Sequence, residues 1–175
     1  LPAAREGKIK AMYIMGENPV LSDADVIHVV EALEKLEFLV VQDIFLTETA
    51  KLAHVVLPAS SYAERDGTYT NTERRVQLTK PVVAPPGQAR RDREIICELA
   101  TAIGYPMAYA STVEVNEEMR ELTPSYAGIS HARLEARAQL HWPCPSEDHP
   151  GTPILHRENF AHGLGQFHPV EYQPA

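Results

Sequence analysis

The chain has 175 residues, of which 44% are hydrophobic and 23% charged, and its formal net charge at pH 7 is −8. This length predicts one domain or slightly more, and the negative charge argues against a general nucleic-acid-binding protein. No apolar run approaches the roughly 20 residues of a membrane-spanning helix, and two cysteines cannot build the disulfide framework of a small secreted protein, so we expect a cytoplasmic location.

The chain begins with a polar lead-in and a first predicted strand. The lead-in covers residues 1–8, and the strand covers Lys8–Met15. The end of this strand is almost continuously apolar, which is typical of a strand that is covered on both faces. Gly16–Pro19 then predicts a turn that stops the strand, because Gly and Asn favour tight turns and Pro cannot donate to a sheet.

A helix is predicted next. Ser22 is a candidate N-cap, and Asp23 and Asp25 would occupy the first turn, where the helix dipole favours negative charge. The apolar positions that follow have helical spacing and predict one buried stripe: Val26, Val29, Val30, Leu33 and Leu36.

Two more short strands follow, at Phe38–Val41 and Ala53–Leu57, with a short helix that begins near Thr47 between them. The alternation of strands and helices predicts an α/β fold, a Rossmann-like parallel sheet with flanking helices. Ligands of such sheets bind beyond the carboxyl ends of the strands. Gly16–Asn18 and Gln42-Asp43 would lie there side by side, although Gly, Asn and Asp are also ordinary residues at strand exits.

The standard phosphate-binding loops are missing from the sequence. No Gly-x-Gly-x-x-Gly follows the first strand, and no Walker-type loop occurs; the pair Gly163 and Gly165 lies far from any strand–helix junction. An anionic nucleotide would therefore have to bind by another geometry.

A polar segment, Glu64–Gln77, separates the third strand from the apolar Val82-Val83. Such a segment is either a solvated loop or a binding surface. Gly67 offers a backbone position without Cβ hindrance, and three arginines supply forked cationic donors for phosphate or carboxylate: Arg65, Arg74 and Arg75. Glu64 and Asp66 could form an acid/base pair, but hydrogen bonding, either locally or to a ligand, is the favoured interpretation.

A proline-rich linker over Pro81–Gly87 precedes a helix that Asp92 would cap and that runs to about Ile103. Gly104 and Pro106 mark its end. Its predicted apolar face, beside which Cys97 would pack as a small hydrophobe, comprises Ile95, Ile96, Leu99, Ala100 and Ile103.

We divide the chain into a nucleotide-binding α/β portion at 1–106, a helical extension at 107–141 and an irregular tail at 142–175. The extension contains predicted helices at Thr112–Leu122 and about Ser130–Leu140, and the tail is broken by prolines and glycines. Four residues at the end of the extension and in the tail could suggest zinc, but their spacing lacks close ligand pairs and packing roles are favoured: His141, Cys144, His149 and His156. No catalytic residue is predicted.

Four segments occur in a characteristic order and spacing: Gly16–Pro19, Leu39–Ala50, Ala53–Pro58 and Glu64–Gln77. Together they resemble the molybdopterin oxidoreductases of the dimethyl sulfoxide reductase type over about residues 8–105. Further features resemble the formate dehydrogenase catalytic subunits of that family and extend the likeness to nearly the whole chain: Gly104–Met107, Leu140–Pro145, Gly151–Pro153 and residues 160–167.

The resemblance implies a bis-molybdopterin guanine dinucleotide cofactor with molybdenum or tungsten, formate oxidation to carbon dioxide, and an iron–sulfur cluster that removes the electrons. It implies that this chain binds one of the two guanine dinucleotides. The cofactor-binding residues that it implies are Gly16, Glu17, Asn18, Gln42, Asp43, Thr47, Arg65 and Asp92, with Asp43 contacting guanine or ribose.

Three features of the resembling family have no counterpart in this sequence: the N-terminal cysteine cluster, the catalytic Cys or selenocysteine followed by His, and the final β-barrel domain. We therefore expect an internal or truncated portion of a catalytic subunit, inactive alone, whose partners are the remaining domains and electron-transfer subunits. The alternatives are a portion of another family member, such as a nitrate reductase, and a non-catalytic remnant that binds nucleotide or a protein partner.

Overall fold

The computed structural model describes residues 1–136, 138–160 and 162–172. The chain divides into two compact units, of which the first comprises Leu1–Thr68 and Leu78–Val115 and the second comprises Tyr69–Gln77 and Asn116–Ala175. The functional division at residues 106 and 141 stays a prediction. None of the described helices is long and apolar enough to cross a membrane.

The first unit contains a parallel sheet of three strands in the order β1-β2-β3, so the predicted parallel α/β fold is confirmed. β1 is Ala11–Met15, β2 is Phe38–Asp43 and β3 is Val55–Pro58. β2 is two residues longer than predicted, because Gln42 and Asp43 continue its pairing with β1 and β3. β1 starts three residues later than predicted.

Seven α-helices occur in the described residues: α1 Pro2–Arg5, α2 Pro19–Ser22, α3 Val26–Glu34, α4 Glu48–Lys51, α5 Asp92–Ala102, α6 Thr112–Leu122 and α7 His131–Glu135. The lead-in thus includes a short helix, whose Ala4 is fully buried. The prediction of Ser22 as an N-cap was wrong, since Pro19 starts α2 and Ser22 ends it. Asp25 caps α3 instead, accepting from the His28 backbone N–H over 3.1 Å.

One face of the parallel sheet carries the core of the first unit. Ile14, Leu39 and Val41 pack there with Val29 and Leu33 of α3. The other face is more open: Tyr13 is 37% exposed, and Met15 and Phe38 are nearly half exposed. The expectation that β1 is covered on both faces was therefore wrong for the described residues.

The polar segment 64–77 is mostly a hairpin rather than a loop. β4 covers Gly67–Thr70 and β5 covers Arg75–Thr79, and they lie in a second sheet of order β4-β5-β6 with β6 at Leu140–His141. β5 and β6 pair antiparallel. Side chains alternate between the two faces of β5, and Val76, which is 3% exposed, is the buried residue that anchors this strand.

The later helices match the predictions unevenly. α6 has the predicted bounds, whereas α7 is capped by Ser130 but ends at Glu135, and Leu140 belongs to β6. On α5 only Ile95 is buried; Ile103 is 77% exposed, and Cys97 is partly exposed. The packed face predicted for α5 is therefore not formed among the described residues.

The tail after Trp142 contains no regular strand or helix in its described part, as predicted. Its first section is nevertheless well packed, with Cys144 completely buried and Gly151 buried. Its last section is exposed, and Phe167 and Val170 are at least 91% accessible.

Candidate functional site

The carboxyl ends of the three parallel strands lie side by side. Gly16 leaves β1 with a φ of +64°, a conformation that Gly adopts readily, and its N–H donates to the Gln42 carbonyl over 2.9 Å. The Ala59 N–H donates to the Asp43 carbonyl over 3.0 Å. These bonds continue the ladder past the strand ends, so the exits of β1, β2 and β3 form one edge.

A chain of polar contacts crosses this edge and joins three of the predicted site residues. The Gln42 amide Nε2 donates to Asp92 Oδ1 over 2.6 Å, and Asp92 Oδ2 forms an ion pair with the Arg65 guanidinium. At the other end, the Tyr13 hydroxyl donates to Gln42 Oε1. Burial raises the pKa of Tyr13 above its ordinary value of 10.0, so the phenol remains a donor at neutral pH.

The members of this chain differ in exposure. Gln42 is fully buried, whereas the Arg65 and Asp92 side chains are 27% and 20% exposed. Both ends of the Gln42 amide are occupied, so this side chain holds its neighbours in place and has no accessible surface for a ligand. Arg65 is the cationic group of the set that reaches solvent.

Asn18 belongs to a second network at the same edge. Its Oδ1 accepts from the Thr49 hydroxyl over 2.7 Å, and its Nδ2 donates to Glu48 Oε2 over 2.8 Å. The Asn18 amide lowers the pKa of Glu48 below its ordinary value. Thr47 caps α4, because its hydroxyl accepts from the Ala50 N–H over 3.1 Å.

Two predicted site residues remain open to solvent. Glu17 is exposed, and Asp43 is half-buried. Asp43 Oδ1 accepts from the Phe45 N–H over 3.2 Å, which is the only hydrogen bond of this carboxylate within the described parts of the chain. Asp43 therefore retains acceptor capacity at the edge of the sheet.

Sequence reasoning missed Tyr13, although a signal was present. Tyr13 and Met15 alternate with Ile14 along β1, and Met15 pairs with Gln42. Side chains that alternate with the buried Ile14 lie on the opposite face, which is the face of Gln42. The period of the strand could thus have placed Tyr13 near Gln42.

The remaining arginines of the polar segment do not extend this site. Arg74 donates to the backbone carbonyls of Trp142, Thr152 and Pro153, and Arg75 Nε lies 3.1 Å from Glu73 Oε1.

Glu64 forms a local hydrogen bond, which confirms the favoured interpretation for this residue, whereas the partner of Asp66 lies 46 positions away in the sequence. Glu64 Oε2 accepts from the Ser61 N–H over 2.8 Å in a capping box, and Asp66 Oδ2 accepts from the Thr112 hydroxyl over 2.7 Å. The Thr112 hydroxyl holds the pKa of Asp66 below its ordinary value of 3.8, and the charges of Arg91 and Arg93 lower it further.

This depressed pKa predicts an acid-dependent loss of stability. The contribution of the Asp66 carboxylate is present above its unfolded pKa and is lost as the pH falls through the lower folded pKa. The urea midpoint of the chain, followed from about pH 6 to pH 3, should therefore fall more steeply than that of Asp66→Asn, which carries no titrating group at position 66. Equal slopes for the two proteins would contradict this assignment.

The four residues considered for zinc do not converge. No group of three or more His, Cys, Asp or Glu side chains able to hold a metal ion occurs in residues 1–136, 138–160 and 162–172. The Cys144 thiol faces the carbonyls of Ser146 and His149 at 3.7 and 3.4 Å.

The amino-acid sequence matches a known protein family. A family model described as "Molybdopterin oxidoreductase" matches residues 1–102, more than half of the chain. The chain belongs to the molybdopterin oxidoreductase family. The matched part contains every predicted cofactor-binding residue, from Gly16 to Asp92.

Several curated proteins of this family resemble nearly the whole chain. An F420-dependent formate dehydrogenase subunit alpha of Methanocaldococcus jannaschii is 55% identical over 94% of this chain and 25% of that protein. Formate dehydrogenase H of Escherichia coli is 40% identical over 94% of the chain and 24% of that protein. An assimilatory nitrate reductase catalytic subunit of Bacillus subtilis is 45% identical over 90% of the chain and 23% of that protein.

The chain therefore spans about a quarter of the length of these relatives. Among solved structures, the acetylene hydratase of Pelobacter acetylenicus superposes with a TM-score of 0.59 at 26% identity, covering 66% of this chain and 17% of that one. The α/β architecture described above is thus shared with a structurally characterised protein.

Proposed function

We propose that the edge formed by β1, β2 and β3 holds one guanine dinucleotide arm of a bis-molybdopterin guanine dinucleotide cofactor in a formate dehydrogenase catalytic subunit. The observation that carries the proposal is the meeting of Gln42, Asp92 and Arg65 beside Asp43 at the carboxyl edge of a parallel sheet. Membership of the molybdopterin oxidoreductase family and the similarity to formate dehydrogenase alpha subunits support it.

The side chains at this edge suit the two chemical ends of a guanine nucleotide. Guanine presents N–H donors, and the Asp43 carboxylate has acceptor capacity beyond its bond to Phe45. A diphosphate needs cationic donors, and Arg65 offers a guanidinium that Asp92 fixes in place. Asn18, Gly16 and Glu17 would border the site, and Thr47 would shape it as the cap of α4.

A buried hydroxyl at the end of β3 is consistent with this fit. Ser60 is 2% exposed, and its Oγ has no hydrogen-bond partner among the described residues. It directly follows Ala59, which is bonded to Asp43. A buried unpaired hydroxyl is costly, and each such exception needs an explanation, of which a functional role is one.

The longer protein would complete the enzyme. When bound, the cofactor supplies the metal, molybdenum or tungsten, at which formate is oxidised to carbon dioxide. We expect the second half of its site, the iron–sulfur cluster and the electron-transfer subunits to lie outside residues 1–175, and the assembly to be cytoplasmic. The role of this chain is binding and orientation of the nucleotide.

A nitrate reductase-like parent is the second candidate, favoured by the 45% identity to the Bacillus subtilis catalytic subunit. A remnant that binds nucleotide or a protein partner without catalysis is the third. The coding sequence that flanks this chain separates the remnant from the two enzymes, since an upstream Cys-x-x-Cys cluster and a Cys or selenocysteine next to His in the same frame would support an enzyme.

Replacing Asp43 by Ala in the full-length parent should weaken retention of the guanine dinucleotide. Loss of one polar partner at a partly buried position costs about 1–3 kcal/mol, which is roughly a 5- to 150-fold change in affinity. The measurement is guanine nucleotide and metal per polypeptide after exhaustive dialysis.

Asp23→Ala is a matched control. Asp23 accepts from the backbone N–H two residues ahead over 3.3 Å, as Asp43 does over 3.2 Å, but it lies outside the strand edge. Unchanged nucleotide and metal content in Asp43→Ala, at the level of the Asp23→Ala protein, would refute the role of Asp43.

A further inference from the structure

The side-chain amide of Gln42 has a hydrogen-bond partner at each end, Asp92 at the nitrogen and Tyr13 at the oxygen. Asp92 presents a carboxylate, which only accepts hydrogen bonds, so the donor end of the Gln42 amide, Nε2, must face it. The acceptor end, Oε1, then faces β1, where the Tyr13 hydroxyl donates to it. Since Gln42 is fully buried, no solvent can replace either partner.

The Asp92 carboxylate opposes the reversed orientation of this amide, and the Tyr13 hydroxyl pairs with the amide oxygen that consequently faces β1. If the amide turned over, the Tyr13 oxygen would face an NH₂ group, which it could still accept from, but the amide oxygen would face the Asp92 carboxylate. Two acceptors at 2.6 Å repel each other, and buried polar groups that lack a partner are costly. Asp92 therefore sets the orientation, and the Tyr13 hydroxyl supplies the partner of the buried amide oxygen, which restrains the Gln42 side chain in that orientation.

Asp92 transmits this orientation to Arg65. One carboxylate oxygen is held by Gln42, and the other forms the ion pair with the Arg65 guanidinium. Because Gln42 and Arg65 each hold one oxygen of the Asp92 carboxylate, this group cannot rotate, and the Arg65 guanidinium stays in one position. A carboxylate held only by Arg65 can rotate. A guanidinium binds phosphate by a planar fork, so its placement matters.

We propose that Tyr13 and Gln42 are positioning residues for nucleotide binding: through Asp92 they hold Arg65 in place for the anionic part of a guanine dinucleotide, and neither contacts that nucleotide. The inference rests on the proposed function. It assigns a role to Tyr13, which the sequence did not mark, and changes the role of Gln42 from a cofactor contact to an internal support.

The first test removes the Tyr13 hydroxyl in the full-length parent. Tyr13→Phe should lose guanine nucleotide roughly 2- to 12-fold faster during dialysis, because one hydrogen bond of the support is missing. Tyr105→Phe removes a hydroxyl from a tyrosine that is 66% exposed and should behave as the unaltered protein. Nucleotide content is read by chromatography after hydrolysis, and circular dichroism checks the fold.

The second test gives the support a titratable group. Gln42→Glu places a buried carboxyl against Asp92, and burial together with the like charge raises the pKa of such a group. When protonated it can donate to Asp92, so nucleotide retention should recover as the pH is lowered through that raised pKa and fall again above it. Gln42→Leu has a similar size and no charge, and its faster loss should not recover at lower pH.

Arg65→Ala distinguishes the positioning role of Tyr13 and Gln42 from the proposed place of the nucleotide. Faster nucleotide loss in Arg65→Ala, in Tyr13→Phe and, reversibly with pH, in Gln42→Glu supports both. Loss in Arg65→Ala with full retention in Tyr13→Phe and Gln42→Leu overturns the positioning role alone. Full retention in Arg65→Ala overturns the positioning role and also the proposed place of the nucleotide.

Discussion

Gly128→Ala should destabilise the second unit by about 3 kcal/mol or more, beyond the usual range for an added methylene. A Cβ at Gly128 would lie 2.0 Å from the Ser146 carbonyl oxygen and 2.8 Å from Cys144 Sγ. The backbone cannot move away easily, since the Gly128 N–H donates to the Cys144 carbonyl over 2.8 Å. Glycine is thus required at position 128 because there is no space for a side chain.

Urea unfolding of the 175-residue chain, followed by the fluorescence of its single tryptophan, Trp142, measures this effect. Gly87→Ala is the matched control. Gly87 has a φ of +54° and nothing within 4 Å of a Cβ, so its substitution should cost only about 1–2 kcal/mol of backbone strain. A Gly128→Ala protein as stable as Gly87→Ala would contradict the close approach of residues 128 and 146.

Arg74→Ala should also destabilise the second unit strongly. The Arg74 guanidinium donates to the carbonyls of Trp142, Thr152 and Pro153, and so ties the hairpin to the first section of the tail. Hydrogen bonds from a charged donor contribute about 1.5–3 kcal/mol each and do not add independently. We expect a loss of about 3 kcal/mol in the free energy of unfolding.

Two variants control for charge and position in the Arg74 experiment. Arg74→Lys keeps the charge but not the fork, so it should recover only part of the loss. Arg75→Ala removes the neighbouring arginine, whose pair with Glu73 is partly exposed and should contribute at most about 1 kcal/mol. Equal effects of Arg74→Ala and Arg75→Ala would refute the role of Arg74 in holding the tail.

The sequence predicted the parts of the fold that depend on local pattern. The alternation of apolar runs with helical stripes predicted the parallel sheet, and the helix at Thr112–Leu122 was predicted with its observed bounds. The cap of α3 was misplaced from Asp25 to Ser22, because several residues before that helix suit an N-cap. The hairpin at 67–79 was missed, since a strand with few apolar residues carries a weak periodic signal.

At the candidate site, too, local sequence pattern did not reveal the contacts between residues that are distant in the sequence. The resemblance named Gln42, Arg65 and Asp92 as separate contacts, and the structure joins them in one chain of hydrogen bonds. Residues 42 and 92 are fifty positions apart, and no local pattern encodes such a contact. Tyr13 was hidden for another reason, since an aromatic residue in a strand is ordinary and only its partner gives it a role.

By itself, the sequence determined the class of fold and the family, and it predicted the edge of the sheet as the place for a ligand, because strand period, turn residues and motif order are local properties of the chain. Only the tertiary structure decided which polar side chains form hydrogen bonds with each other and which retain hydrogen-bonding capacity for a ligand. Gln42 is occupied at both ends, whereas the Asp43 carboxylate has one bond within the described residues. Hydrogen-bond pairing between distant segments depends on distances of a few ångströms, and those are set by packing.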